Sequence, residues 1–261
     1  MKMKGRVGIA FGGGGARGLA HLGIVQGLLE RGIPIHCVAG TSIGAIMGAI
    51  VAADSLDGAF RWCADPDWKK LPKIFFDPHL TSKALIRGDR IGELLTELIP
   101  ARTFAELSMP FAAVATDLRT GERVVMREGD LLSAVRASMS VPGVFRPVVR
   151  GGRILIDGGL VDPVPIAACR ELGADFVIAV DINPPAGSEE PKPFEKMNLM
   201  DVLFDTFRVF NCEMTRRVLA ENQPDILIRP AVGGVKLLDF RHAERLVEIG
   251  RRAVDALDLQ I

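Results

Sequence analysis

Gly40-Thr41-Ser42-Ile43-Gly44 fits G-x-S-x-G, follows the short apolar run His36-Cys37-Val38-Ala39, and opens a small-residue helix from Ala45 to Ala53. The chemistry suited to this spacing is nucleophilic attack by a serine hydroxyl. A strand that turns sharply into a helix lifts its central residue to the crest of the turn, and glycines on either side relieve the crowding. Ser42 then sits at a helix N-terminus, where the dipole and unpaired N–H groups favour a developing negative charge. The same pattern also occurs as a plain turn, so assigning Ser42 as nucleophile depends on its neighbours.

The first neighbour is Phe11-Gly12-Gly13-Gly14-Gly15-Ala16-Arg17-Gly18, between a strand over Arg6 to Phe11 and a helix reaching Arg31. Successive glycines let several N–H groups point into one concavity, which suits an oxyanion or a phosphate. Gly13-x-Gly15-x-x-Gly18 matches the dinucleotide fingerprint, which also wants an acid ending the second strand. Here that strand ends in Gly40-Thr41-Ser42. A P-loop needs Gly-Lys-Ser/Thr where this chain has Arg17-Gly18-Leu19. An oxyanion hole facing Ser42 fits better than either nucleotide site.

Ile154-Leu155-Ile156-Asp157-Gly158-Gly159 delivers an acid from an apolar strand into a glycine turn. A Ser-Asp-His triad in α/β-hydrolase order needs its histidine after the acid. Of His21, His36, His79 and His242, only His242 satisfies that order, and it reads as a solvated or capping residue at the start of the last helix. A carboxylate must then serve as base, and Asp157 is the best placed. Asp162 is the rival, but it precedes Pro163 and is expected to cap the helix at Ile166. Ser138 and Ser140 are expected to bond within their own turn.

In these residues the chain resembles the patatin-like phospholipase family, most of all its small bacterial branch. The resemblance rests on the Arg17-Gly18 glycine loop, Gly40 to Gly44, and Asp157-Gly158-Gly159, in that order. It extends through Ala137 to Phe145 and Thr116 to Gly121, and spans about residue 6 to about residue 182. It implies a lipid acyl hydrolase with Ser42 as nucleophile, Asp157 as base, and an oxyanion hole from the backbone of Gly13, Gly14 and Gly15 with Arg17 alongside. Gly40, Gly44, Gly158 and Gly159 support the two turns. Many relatives begin the loop with Asp-Gly-Gly-Gly, where this chain has Gly12. Three other readings stay open: a dinucleotide-binding protein using the glycine loop, a His-dependent esterase of the α/β-hydrolase type using His242, and a non-catalytic lipid-binding regulator with the same fold.

The chain has 261 residues, 48% hydrophobic and 25% charged, with a formal net charge of +0. That describes one globular domain with a substantial core, and no linker divides it. No basic field is available to hold nucleic acid. The N-terminus lacks the apolar core of about 7–15 residues that a secretory leader needs. The apolar stretch Ile43 to Ala53 is shorter than the roughly 18 residues of a membrane span. Cys37, Cys63, Cys169 and Cys212 lack paired spacing, with Cys37 and Cys169 at core positions, so neither disulfides nor a metal site is expected. The expectation is a cytoplasmic, cofactor-free protein acting on a lipid or acyl-ester substrate, in peripheral contact with the inner membrane face. Its oligomeric state stays open.

These residues must be held by alternating strands and helices. Strands are expected at Arg6 to Phe11, His36 to Ala39, Phe111 to Asp117 paired with Arg123 to Arg127, a hairpin through Gly151-Gly152, Asp175 to Asp181 and Asp225 to Ile228. Helices are expected at Ala16 to Arg31, Ser42 to Ala53, Leu56 to Ala64, Arg90 to Leu98, Asp130 to Ala137, Ile166 to Leu172, around Leu199 to Val218, and Arg241 to Leu257. Apolar strands alternating with helices predict an α/β fold whose mostly parallel sheet is covered on both faces. Pro184 to Pro193 reads as a mobile surface loop. Two stretches could touch lipid: Leu71 to Pro78, and the helix carrying Leu199, Val202, Leu203, Phe204, Phe207, Val209 and Phe210, whose apolar surface is expected to be buried by core packing.

Overall fold

A computed structural model describes residues 5–64, 89–183, 193–236 and 239–257. His79, the stretch Leu71 to Pro78 and nearly all of Pro184 to Pro193 lie outside the described residues. Eight strands form one sheet: β1 (Val7–Phe11), β2 (Cys37–Thr41), β3 (Phe111–Asp117), β4 (Arg123–Met126), β5 (Val148–Arg150), β6 (Arg153–Asp157), β7 (Phe176–Val180) and β8 (Ile226–Ile228). They are bonded in the order β5-β6-β3-β2-β1-β7-β8, with β4 also on β3. The run from β3 through β2, β1 and β7 to β8 is parallel, and β4, β5 and β6 add antiparallel pairings.

Eight α-helices of the described residues accompany the sheet: α1 (Ala20–Glu30), α2 (Ile43–Ala52), α3 (Leu56–Ala64), α4 (Asp89–Leu98), α5 (Leu131–Ser138), α6 (Ile166–Glu171), α7 (Leu199–Glu221) and α8 (Ala243–Asp255). Side chains along a strand point alternately to opposite faces, and the core divides accordingly. Val7, Ile9, Phe11, Val38 and Ile178 face a large cluster with α1, α2, α5 and α8. Ala10, Cys37, Ala39, Ala112 and Val177 face a second cluster with Ile166, Ala168, Cys169 and Val218. Both faces are covered, as the uninterrupted apolar strands require.

Local boundaries differ where side chains dictate them. The first helix is a 3-10 turn over Gly15–Leu19 before α1 begins. Asp130 stands outside α5 as its cap, accepting from the Ser133 N–H at 2.6 Å. The core-packing expectation for α7 is corrected in part: Leu199, Val202, Leu203, Val209 and Phe210 are exposed, whereas Met200 and Phe204 pack on the core. The inward face of α7 carries Asn211 and Thr215, because it crosses the Asp157–Gly159 turn: a Cβ on Gly159 would lie 2.7 Å from Asn211 Oδ1. Among the described residues no helix is long and apolar enough to cross a membrane.

The register on β3 positions the site. Ala113 pairs with Gly40 of β2 and Met126 of β4, while Ala115 pairs with Asp157 of β6 and Val124 of β4. A strand has two edges, so β4 occupies one and β2 and β6 share the other. β2 runs parallel to β3 and ends with Thr41 on Val114; β6 runs antiparallel and ends with Asp157 on Ala115. The carboxyl ends of β2 and β6 therefore meet head on.

Candidate active site

Ser42 follows β2 and caps α2 with φ 57 and ψ -123, a conformation that side chains rarely adopt. Neighbouring backbone enforces the turn. A Cβ on Gly40 would lie 2.2 Å from Gly44 O, and one on Gly44 would lie 2.2 Å from Phe11 O, so neither position tolerates a side chain. The Ser42 N–H donates to Ser138 Oγ at 3.0 Å, and Ser138 Oγ donates to Val114 O at 2.6 Å. Ser138 thus ties the crest of the turn to β3, not to its own turn. Ser42 is the one residue from Cys37 to Ala52 that is not buried, and Gly15 is the one from Val7 to Val25.

Where β2 and β6 meet, Ser42 Oγ donates to Asp157 Oδ2 at 2.6 Å. Asp157 is fully buried. Its Oδ1 accepts from the Gly159 N–H at 2.8 Å, its carbonyl accepts from Thr116 Oγ1 at 2.8 Å, and its N–H donates to Ser140 O at 2.9 Å. Burial pushes the carboxyl pKa up to about 6, with the Ser42 hydroxyl and the Gly159 N–H pulling the other way. A carboxylate in this state titrates near neutrality while bonded to a serine hydroxyl, an arrangement that can move a proton from one to the other.

The glycine loop passes beside them. A Cβ on Gly13 would lie 3.3 Å from Ser42 Cβ, so the missing side chain lets the loop reach the serine. The Gly12 N–H donates to Val180 O at 2.9 Å and the Gly13 N–H to Pro163 O at 3.0 Å. The expectation that Gly13 supplies an oxyanion donor is therefore corrected, since its amide is engaged. Gly14 and Gly15 are the loop amides with no such bond among the described residues.

A profile describing patatin-like phospholipases matches residues 9–170. The chain belongs to the patatin-like phospholipase family. An uncharacterized NTE family protein of Mycobacterium tuberculosis is 39% identical over 184 residues, 70% of this chain and 50% of that protein. Patatin-like phospholipase domain-containing protein 7 of Rattus norvegicus is 34% identical over 181 residues, 67% of this chain and 13% of that protein. The chain thus spans about half the length of the mycobacterial relative and a smaller share of the rat one. The crystal structure of VipD from Legionella pneumophila shares the fold, with TM-score 0.56 at 16% identity over 98% of this chain and 68% of that one.

Other residues of this patatin-like chain lie where sequence did not put them. Asp162 does not cap α6; its N-cap is Pro165, without a side-chain bond. Asp162 Oδ2 instead pairs with Arg123 at 3.2 Å, and Asp162 O accepts from Thr41 Oγ1 at 2.7 Å. Burial pushes Asp162 up to about 6 as well. Arg17 is buried, and its Nε donates to Val235 O at 2.8 Å, fastening the 231–236 segment to the glycine loop.

No described histidine is bonded to Ser42 or Asp157. His36 Nδ1 accepts from the Val7 N–H at 3.2 Å, and His242 Nε2 lies 3.6 Å from Asp239 at the start of α8. His21, which precedes the acid in the chain, is fully buried against Phe11 with Nε2 2.9 Å from Gly12 O. A carbonyl only accepts, so Nε2 carries the hydrogen. Desolvation lowers its pKa to about 4, against the bond to Gly12. The available signal was distance along the chain: a histidine one helical turn past a glycine loop is within reach of its first carbonyl.

Proposed function

We propose that the chain hydrolyses carboxylic esters of lipids through a Ser42–Asp157 dyad and an acyl-enzyme. The reading is carried by the 2.6 Å bond from Ser42 Oγ to the buried carboxylate of Asp157. Asp157 takes the hydroxyl proton as Ser42 Oγ attacks the ester carbonyl carbon. The carbonyl π electrons move onto oxygen, and the Gly14 and Gly15 N–H groups hold that oxyanion, assisted by the N-terminus of α2. Collapse of the tetrahedral state breaks the bond to the alkoxide, which leaves with the proton from Asp157. Water then adds to the acyl-enzyme, giving its proton to Asp157; the fatty acid departs and the proton returns to Ser42.

The raised pKa of Asp157 suits this role. A carboxylate near its ordinary value is a weak base, and one at about 6 is better matched to neutral pH while still ionised there. A cavity with wholly apolar walls favours lipid over a polar ester: Ile43, the residue after Ser42, lines it together with Ile46, Met47, Leu95, Met139 and Phe240. An acyl chain laid there leaves water without losing hydrogen bonds.

The test combines a fluorophosphonate probe and peptide mapping with release of fatty acid from phosphatidylcholine vesicles. Stoichiometric labelling of Ser42, with both labelling and fatty-acid release absent in Ser42→Ala, is the expected result. Labelling at another residue, or release that survives the substitution, overturns the assignment.

A further inference from the structure

The strand order reverses at β1, which carries β2 on one edge and β7 on the other. In open α/β sheets the crevice at such a point is where ligands collect. Here the glycine loop leaving β1 runs between the segment leaving β2, which begins with Ser42, and the segment leaving β7, which holds Asn183.

Asn183 Nδ2 donates to Gly13 O at 2.9 Å. The described peptide bonds are trans, so the Gly13 carbonyl and the Gly14 N–H lie in one plane and point in opposite directions. Anchoring that carbonyl on Asn183 turns the Gly14 N–H away from the β7 side. Ser42 lies against the opposite side of the loop: a Cβ on Gly13 would meet Ser42 Cβ at 3.3 Å, whereas one on Gly14 would meet Ile182 at 2.8 Å and Asn183 Oδ1 at 3.3 Å.

Asn183 is itself braced. Its N–H donates to Asp181 Oδ1 at 3.1 Å, and Arg229 Nε donates to Asp181 Oδ2 at 3.0 Å. Asp181 is buried and Arg229 reaches the surface. The series Arg229, Asp181, Asn183, Gly13 carbonyl, Gly14 N–H runs from solvent to the glycine loop.

We infer that Asn183 is a positioning residue that aims the Gly14 N–H at the oxyanion formed on Ser42, an inference that rests on the ester-hydrolase reading above. Its side chain acts through the Gly13 peptide and touches no reacting atom. The interaction matters most in the tetrahedral state, when the oxygen carries charge, so its loss is read in kcat more than in KM.

Asn183→Asp keeps the shape and replaces the donor with a carboxylate that repels Gly13 O. Expected is a fall in kcat of about ten- to a hundredfold, the scale of a misplaced group beside the chemistry, with KM for a p-nitrophenyl ester within about threefold. A trifluoromethyl ketone that mimics the tetrahedral state is expected to lose affinity in parallel with kcat, while a non-hydrolysable ether lipid binds unchanged. Asn183→Ser retains a shorter donor and is expected to recover part of kcat. Asn183→Asp with kcat within threefold of the parent overturns the inference, as does an equal loss for ketone and ether lipid, the mark of a merely structural residue. If Asn183→Asp fails to fold, the same measurements on Asn183→Ser and Arg229→Gln decide the matter: expected is a kcat loss with ketone affinity falling in step, and no change in either variant overturns the inference. Failure of the underlying reading has a separate sign, the absence of Ser42 labelling in the parent protein.

Discussion

Ser42 Oγ and Asp157 Oδ2 stand 2.6 Å apart although 115 residues separate them in the chain. The contact follows from the sharing of one edge of β3 by two strands of opposite direction. Thr41 pairs with Val114 and Asp157 with the next residue, Ala115, so each strand delivers its last side chains to the same gap. Ser138 closes the arrangement by bonding both the Ser42 N–H and Val114 O.

Ser42→Ala and Ser42→Gly both remove the hydroxyl and are expected to lower kcat for p-nitrophenyl esters by more than about a thousandfold. They differ in backbone strain. At φ 57 glycine is at ease and alanine is not. Thermal unfolding should therefore find Ser42→Gly more stable than Ser42→Ala by about 1 kcal/mol. Equal stability, or a less stable glycine variant, contradicts a strained elbow.

Asp157 predicts activity and stability of opposite sign. Its ionised form is the base, so kcat should fall with a one-proton slope as pH drops through about 6. Its folded pKa lies above the unfolded value of 3.8, so the native state binds the proton more tightly. The stability it contributes is complete below about pH 4 and is lost as pH rises through about 6. Asp157→Asn removes that loss, and should be inactive yet more stable than the parent at pH 8, by about 3 kcal/mol from a shift of this size. Denaturant unfolding at pH 4 and pH 8 measures the difference; an unstable variant at pH 8 would show that the ionised carboxylate is needed for folding.

The histidines divide sharply. His242→Ala should leave kcat within about threefold, since that ring lies beside Asp239 at the start of α8. His21→Phe fills the same core space but releases Gly12 O, and should cost both activity and stability at neutral pH. His21 also has a pH signature. Its folded pKa is about 4 against 6.5 unfolded, so protons bind the unfolded chain first and stability declines as pH falls from about 6.5 to about 4. In His21→Phe that acid decline should vanish from the pH–stability curve. A lethal His242→Ala would revive the triad.

Gly44 and Gly14 should fail differently. At Gly44 a methyl group would meet the Phe11 carbonyl at 2.2 Å, so Gly44→Ala should lose the fold or several kcal/mol of stability, seen by circular dichroism. At Gly14 a side chain is strained by the backbone at φ 158 and would meet the flexible Ile182 side chain at 2.8 Å, so Gly14→Ala should lose some stability yet fold, with a loss of about a hundred- to a thousandfold in kcat, the scale of one oxyanion donor. Titration calorimetry with NAD, NADP and FAD should show no saturable heat. Micromolar binding of any of them would return the loop to the nucleotide reading.

What the sequence determined by itself is chiefly local. The glycines flanking Ser42 are legible because the elbow they permit spans five residues and depends on nothing distant. The apolar runs at Val7 to Phe11 and Phe176 to Val180 are legible as strands because a doubly covered sheet buries both of their faces. The order of the motifs was enough to suggest the family.

Tertiary structure decided the rest, because each remaining question turned on register or direction. Asp157 and Asp162 are both buried with pKa values near 6, and only the pairing of β6 with β3 puts the first on Ser42 while the second turns to Arg123. Three adjacent glycines look alike in sequence, yet Pro163 takes the Gly13 amide and leaves Gly14 and Gly15 without such a bond among the described residues. The apolar run of α7 does not by itself tell core from surface; the crossing of the Asp157 turn puts Asn211 inward and Phe210 outward. Spacing along a chain fixes which side chains share a helix or strand face; which strand edge they reach, and which amide is left to donate, depends on contacts between residues far apart in sequence.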